Sequence, residues 1–107
     1  MAILHVALAK LDLSLLKESK DDAFEHIHRM IDAIPIPKYD VRVGSPLIPQ
    51  STRGYDIILS MKFETLQDFK AYLAHPKHLE LLKVYGPPLL REMISFQVDG
   101  TAPKAKL

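Results

Sequence analysis

At 107 residues, with 48% hydrophobic and 25% charged side chains, the chain has the make-up of one folded domain rather than a disordered segment. Its 14 basic and 13 acidic residues leave a net charge of +1, too weak a field to hold nucleic acid or an anionic membrane surface. The lack of cysteine excludes a disulfide framework, a thiol nucleophile and a cysteine-ligated zinc site. No apolar run approaches the roughly 20 residues a bilayer requires. The opening Met1-Ala2-Ile3-Leu4-His5-Val6 has neither a basic region nor a small-residue cleavage site, so no signal peptide is expected and the cytoplasm is the default location.

Ala2 to Leu11 is apolar on both alternating sets, Ile3, His5, Ala7 and Ala9 on one and Leu4, Val6 and Leu8 on the other. That is the pattern of a central strand covered on both faces. Ser14 is placed to cap a helix running to about Ile34, with Leu16, Ala23, Phe24, Ile27, Met30, Ile31 and Ile34 as its buried stripe. Pro35-Ile36-Pro37 ends it, because proline cannot donate to the helical ladder.

Tyr39 to Gly44 reads as a short strand with Tyr39, Val41 and Val43 on one face, and Ser45 to Gly54 as a surface loop. Tyr55 to Phe63 alternates as a third strand, with Ile58 on its reverse face. Thr65 to Asp68 resembles a capping box and opens a helix with Leu66, Phe69 and Leu73 inward. His75-Pro76 interrupts that helix, since the residue before proline is driven from the α region, and a new helix runs from Lys77 to about Tyr85. Gly86-Pro87-Pro88 stops it, Met93 to Val98 is the last strand, and residues 100–107 read as a loose tail to a domain of residues 1–99.

Strand, helix, strand, strand, helix pair, strand is the order of a split βαβ, which predicts an α+β, ferredoxin-like fold of four antiparallel strands with helices on one face. The helices cover one side, yet Leu4, Val6, Leu8, Ile94, Phe96 and Val98 fall on the other. An apolar patch of that size predicts a homodimer joined through the sheet face.

Four segments carry a family likeness: Ile3-Leu4-His5-Val6, Arg53-Gly54-Tyr55-Asp56, Ala71-Tyr72-Leu73-Ala74-His75-Pro76-Lys77-His78 and Phe96-Gln97-Val98. Together they resemble the stress-responsive A/B barrel (dimeric α/β-barrel) domain over about Ala2 to Asp99. The Tyr-x-x-His-Pro-x-His segment after a Gly-Tyr-Asp strand is the specific part. The resemblance implies a ferredoxin-like protomer that dimerises face to face. It also implies either a stress-induced protein without chemistry or a biosynthetic enzyme, with partial similarity to polyketide cyclases of the olivetolic acid-forming type.

In cyclase-type members the working groups lie in a cavity between sheet and helices, and they match Tyr72 and His78 here, with His5 nearby. A histidine of near-neutral pKa can remove a proton beside a carbonyl, and a phenol can bond the oxygen where charge gathers. On parity, His5, Ala7 and Ala9 share a strand face with Ile57, Leu59 and Met61. Phe24, Ile27, Leu66, Leu81 and Leu82 are expected to close an apolar substrate pocket over them. Two residues depart from the plant cyclase pattern. Ile57 stands in place of a further histidine, and Gln97 in place of an acidic residue, which predicts a less basic His78.

Each site residue has a structural reading beside the chemical one. His78 can donate to a backbone carbonyl, Tyr72 can cover the helix junction, and His5 can be a satisfied core histidine. His75 reads as the cap of the new helix, and His75-x-x-His78 with Glu80 as no metal site, because the proline junction turns the two imidazoles apart. Tyr85 suits either core or cavity rim. Neither metal nor cofactor is expected. Two functions remain: a homodimeric cyclase or lyase acting on an apolar, polyketide-like carbonyl compound, and a non-catalytic stress-response or ligand-binding protein built on the same cavity.

Overall fold

Alternation in the first strand sets the architecture. The computed structural model describes residues 2–101. In β1 (Ile3–Leu11) the odd-numbered residues through Ala9 are buried and the even-numbered ones half-exposed. β1 pairs antiparallel with β3 (Ile57–Phe63) on one side and β4 (Leu90–Asp99) on the other. With β2 (Tyr39–Gly44) beside β3, the sheet order is β2-β3-β1-β4. This is the ferredoxin-like α+β arrangement, and its core forms where Ile3, Ile57, Met61 and Phe63 meet Ala23, Phe24, Ile27 and Ile31 of α1 (Lys20–Asp32).

The first helix starts later than the sequence suggests. Ser14 does not cap it. Leu13–Leu15 is a 3₁₀ turn held by Asp12, whose carboxylate accepts from both the backbone N–H and the hydroxyl of Ser14. Leu16 returns to extended backbone, and Ser19 becomes the N-cap, accepting from the N–H of Asp22. Within the expected stripe, Leu16 and Met30 are partly buried against the core rather than inside it. Past α1, the Lys38 ammonium donates to the carbonyls of Ile34 (2.6 Å) and Ile36 (3.3 Å), the first of which also accepts from the Ile36 N–H.

Tyr39 does not share a face with Val41 and Val43. Asp40 sits at φ 55°, the register to β3 shifts between Tyr39 and Arg42, and Tyr39 turns to solvent. β3 begins at Ile57 rather than Tyr55, because the Asp56 N–H bonds Ala9 O and its carboxylate accepts from the N–H of Leu11. The 45–54 loop contains a 3₁₀ turn, Pro49–Ser51.

Thr65 caps α2 (Leu66–Ala74) by accepting from the N–H of Asp68. Phe69 and Tyr72 face inward, but Leu66 and Leu73, both expected inward, are exposed: Leu66 is the first residue of α2, beside its cap, and Leu73 lies near the end of α2 at the helix break. α3 is Pro76–Tyr85, with His75 as its N-cap through Nδ1 and Lys77 N–H. Gly86 ends α3 at a point where a Cβ would lie 2.0 Å from the Leu82 carbonyl oxygen.

β4 is longer than the expected Met93–Val98 and is exposed along almost its whole length. Its Ile94, Phe96 and Val98 lie opposite Leu8, Val6 and Leu4, so one continuous apolar face, with Phe96 64% exposed, looks away from the helices. The tail expected from Gly100 starts tied down. Gly100 N–H donates to Ala2 O, and Thr101 Oγ1 accepts from the Ala2 N–H. The rest of that expectation, residues 102–107, lies outside the described residues. Among the described residues no helix is long and apolar enough to cross a membrane.

Candidate active site

Helices α2 and α3 stand over β3 and β1 but leave β4 projecting, and between them lies a cavity of about 460 Å³. His5, Ala7 and Ala9 form its floor, their small alanines leaving the space that a leucine would fill. Across the register from them, Gln97, Ser95 and Met93 of β4 extend that floor. Ile57 and Leu59 come from β3 and Ile27 from α1, while Tyr72, His78, Leu81 and Tyr85 close the top.

The cavity is polar at one end and apolar at the other. His5 faces Gln97 at the start of β1, whereas Leu11 pairs with Leu90 at its finish. His78 and Tyr85 likewise stand at opposite ends of α3, about 10 Å apart along its axis by helical rise. The polar end holds every candidate catalytic residue: His5, Tyr72 and His78 come together as the sequence suggests.

His78 owes its orientation to the helix break. Pro76 has no N–H, and the Lys77 N–H is taken by His75 Nδ1, so the Leu73 carbonyl at the end of α2 lacks its usual helical partner. His78 Nδ1–H donates to that oxygen at 3.0 Å. In the neutral ring this leaves the lone pair on Nε2. Burial pushes the His78 imidazole below its ordinary pKa, and the bond to Leu73 opposes that shift in part.

Tyr72 is 2% exposed, with its ring 4.7 Å from that of His78 and 5.2 Å from Phe63. Burial raises its phenol well above the ordinary tyrosine value, so it stays protonated and able to donate. His5 stacks at 4.9 Å on Phe69 and accepts at Nδ1 from the Gln97 amide at 2.9 Å. Its pKa is lowered first by burial and then by the neighbouring His78 charge. Gln97 therefore serves His5 and not His78, and the low basicity of His78 has burial as its main cause.

Of the expected pocket residues, Ala7, Ile27, Ile57, Leu59 and Leu81 line the cavity, but Phe24 and Leu66 do not. Phe24 is spent in the core between α1 and the sheet, and Leu66 lies outside on α2. Met93 and Ser95, which the sequence analysis leaves out of the pocket, also line it, and the alternation Met93, Ser95, Gln97 on the cavity side of β4 is the signal that places them there. Among the described residues no three His, Asp or Glu side chains converge as metal ligands.

A ferredoxin-like protomer with a histidine–tyrosine cavity beneath its helices is thus the class that fold and site define. The chain belongs to the stress responsive A/B barrel domain family, whose model matches residues 3–99. It is similar to olivetolic acid cyclase of Cannabis sativa, with 27% identity over 86 residues, 79% of this chain and 84% of that protein. Its fold is similar to a dimeric ferredoxin-like protein of Bacteroides fragilis, at TM-score 0.71 and 23% identity over 92% of this chain and 95% of that one. It is also similar in fold to the hydroxynitrile lyase of Passiflora edulis, at TM-score 0.74 and 18% identity over 95% and 97% of the two chains.

Proposed function

We propose that the protein is a homodimeric cyclase- or lyase-type enzyme that acts on a small, largely apolar carbonyl compound. The observation that carries this reading is the His78 Nδ1–H bond to the Leu73 carbonyl, which leaves Nε2 as a base beside the buried Tyr72 phenol. His78 Nε2 takes a proton from the carbon next to a carbonyl, and Tyr72 donates to the oxygen on which the enolate charge gathers. The enolate carbon then attacks a second carbonyl of the same molecule, and His78 returns its proton to the new alkoxide; neutral Nε2 then takes the remaining proton of the attacking carbon as the hydroxyl departs, and that proton leaves with the hydroxide as water. His5, bonded through Nδ1 to Gln97, holds its Nε2–H for the second oxygen. The apolar walls of Ile57, Leu59 and Leu81 keep competing water out.

The same two groups suit cleavage of a hydroxynitrile, in which a base removes the hydroxyl proton and cyanide departs. Similarity to a cyclase and to a lyase supports acid–base work on carbonyl compounds as the common denominator. The test is turnover of a linear poly-β-ketone thioester and of mandelonitrile by the purified protein. His78→Ala is expected to lose at least 100-fold, by order of magnitude for one general base, while remaining folded. Retained turnover in that variant rejects the base.

A second reading, a ligand-binding protein without turnover, is favoured by one observation: among the described residues no carboxylate lines the cavity. Under it, ligands bind at unchanged affinity in His78→Ala and no product forms in either protein.

The homodimer is proposed through the open sheet face of Leu4, Val6, Leu8, Ile94, Phe96 and Val98, in keeping with a dimeric relative of the same fold. At about 25 cal/mol per Å² of apolar surface, covering that face in two copies contributes many kcal/mol before the cost of association is met.

A further inference from the structure

Past the C-terminal end of α3 lies a second hollow of about 510 Å³, lined among others by Leu16, Glu18, His26, Lys83 and Pro87. One side chain, Tyr85, lines both this groove and the cavity. Its hydroxyl is on the groove side, where it donates to Glu18 Oε1 at 2.8 Å and accepts from His26 Nδ1–H at 2.7 Å. Its ring, 8% exposed and 5.6 Å edge-on from His26, is the wall at the apolar end of the cavity. Burial and Glu18 push its phenol up to about 12, so it remains a donor to that carboxylate.

A core tyrosine that served packing alone would need one partner for its hydroxyl. This one has two, drawn from the segment before α1 and from α1 itself, and both fix the ring where it lines the two hollows. We propose that cavity and groove are two halves of one passage, and that Tyr85, latched by Glu18 and His26, is the partition that limits the length of hydrocarbon tail the cavity accepts. The ligand class this implies is a compound with its carbonyl head among His5, Tyr72 and His78 and an unbranched tail running beneath Leu81 toward Tyr85. The inference rests on the cavity being a ligand site, as proposed above.

The test is isothermal titration calorimetry with straight-chain 2-alkanones of increasing length. In the unaltered protein, affinity is expected to rise about fourfold per methylene, the yield of one buried CH₂, up to a cut-off length and then to fall. Tyr85→Ala should move the cut-off outward by at least four carbons, with Tyr85→Leu carrying the test if the alanine variant does not fold. Tyr85→Phe keeps the ring but cuts the latch, and should bind the ketones just past the cut-off at least tenfold better than the unaltered protein. Short ketones that bind while the folded alanine or leucine variant keeps the original cut-off overturn the partition. A phenylalanine variant with the original profile overturns the latch. If no ketone of any length binds the unaltered protein, the cavity is no ligand site and the partition falls with it.

Discussion

His5 and His78 sit in one cavity, yet opposite kinds of partner hold them: an amide that donates to His5 and a carbonyl that accepts from His78. Both are pushed below the ordinary histidine value, chiefly by burial. A base must be neutral to act, so turnover is expected to hold at neutral pH and to fall on the acid side, with its limb below about 6.5. Stability has the same sign. Below about 6.5 the unfolded chain binds protons that the folded chain refuses, so stability drops as pH falls and levels off beneath the folded-state values. Melting curves between pH 8 and 5 check this; a melting temperature that rises toward acid would contradict it. Tyr72→Phe should cost about 100-fold in turnover with little change in melting, because among the described residues its hydroxyl bonds no protein group. His5, Tyr72 and His78 were legible as a group from the sequence. The partner of Gln97 was not, because which of two histidines an amide meets depends on sheet register, to which residue type gives no clue.

Among elements, the α2–α3 break is the one on which the chemistry depends. Pro76→Ala restores an N–H and lets the helix run on, so the Leu73 carbonyl gains a backbone partner and His78 loses its acceptor. Turnover is expected to fall about tenfold, a loss of roughly 1.4 kcal/mol of transition-state stabilisation, with helicity by circular dichroism kept or increased. An unchanged rate would mean that the proline does not orient the imidazole. At the other end of the fold, Ser19→Ala should cost about 1 kcal/mol, as loss of an N-cap does, and lower the melting temperature by about 4–8 °C. Ser14→Ala, though it removes the serine that the sequence offers first, should cost less, since the Asp12 carboxylate keeps its bond to the backbone N–H there. The helix start is not legible in advance because two serines precede the same apolar stripe, and residue type does not show that Asp12 claims the first for a 3₁₀ turn. Strand order, helix count and the His75 cap, by contrast, follow from alternation and proline chemistry and were legible in advance.

For the whole molecule, the open sheet face of β1 and β4 is the feature that bears on how many copies act together. Val6→Asp puts a carboxylate in the middle of the open sheet face and should give monomers or insoluble protein, read by light scattering. A soluble dimer from that variant would place the interface elsewhere. If the face does join two copies, melting temperature should rise with protein concentration, because association stabilises the folded form.

β4 lies at the junction of these scales. Its odd-numbered Met93, Ser95 and Gln97 face the cavity, while the even-numbered Ile94, Phe96 and Val98 face the open side. Walking a bulky polar substitution along this strand should therefore give two interleaved phenotypes, impaired ligand handling at one step and impaired assembly at the next. The strand would be a single ruler with different markings on its two sides, and any repositioning of it on one side would be felt on the other.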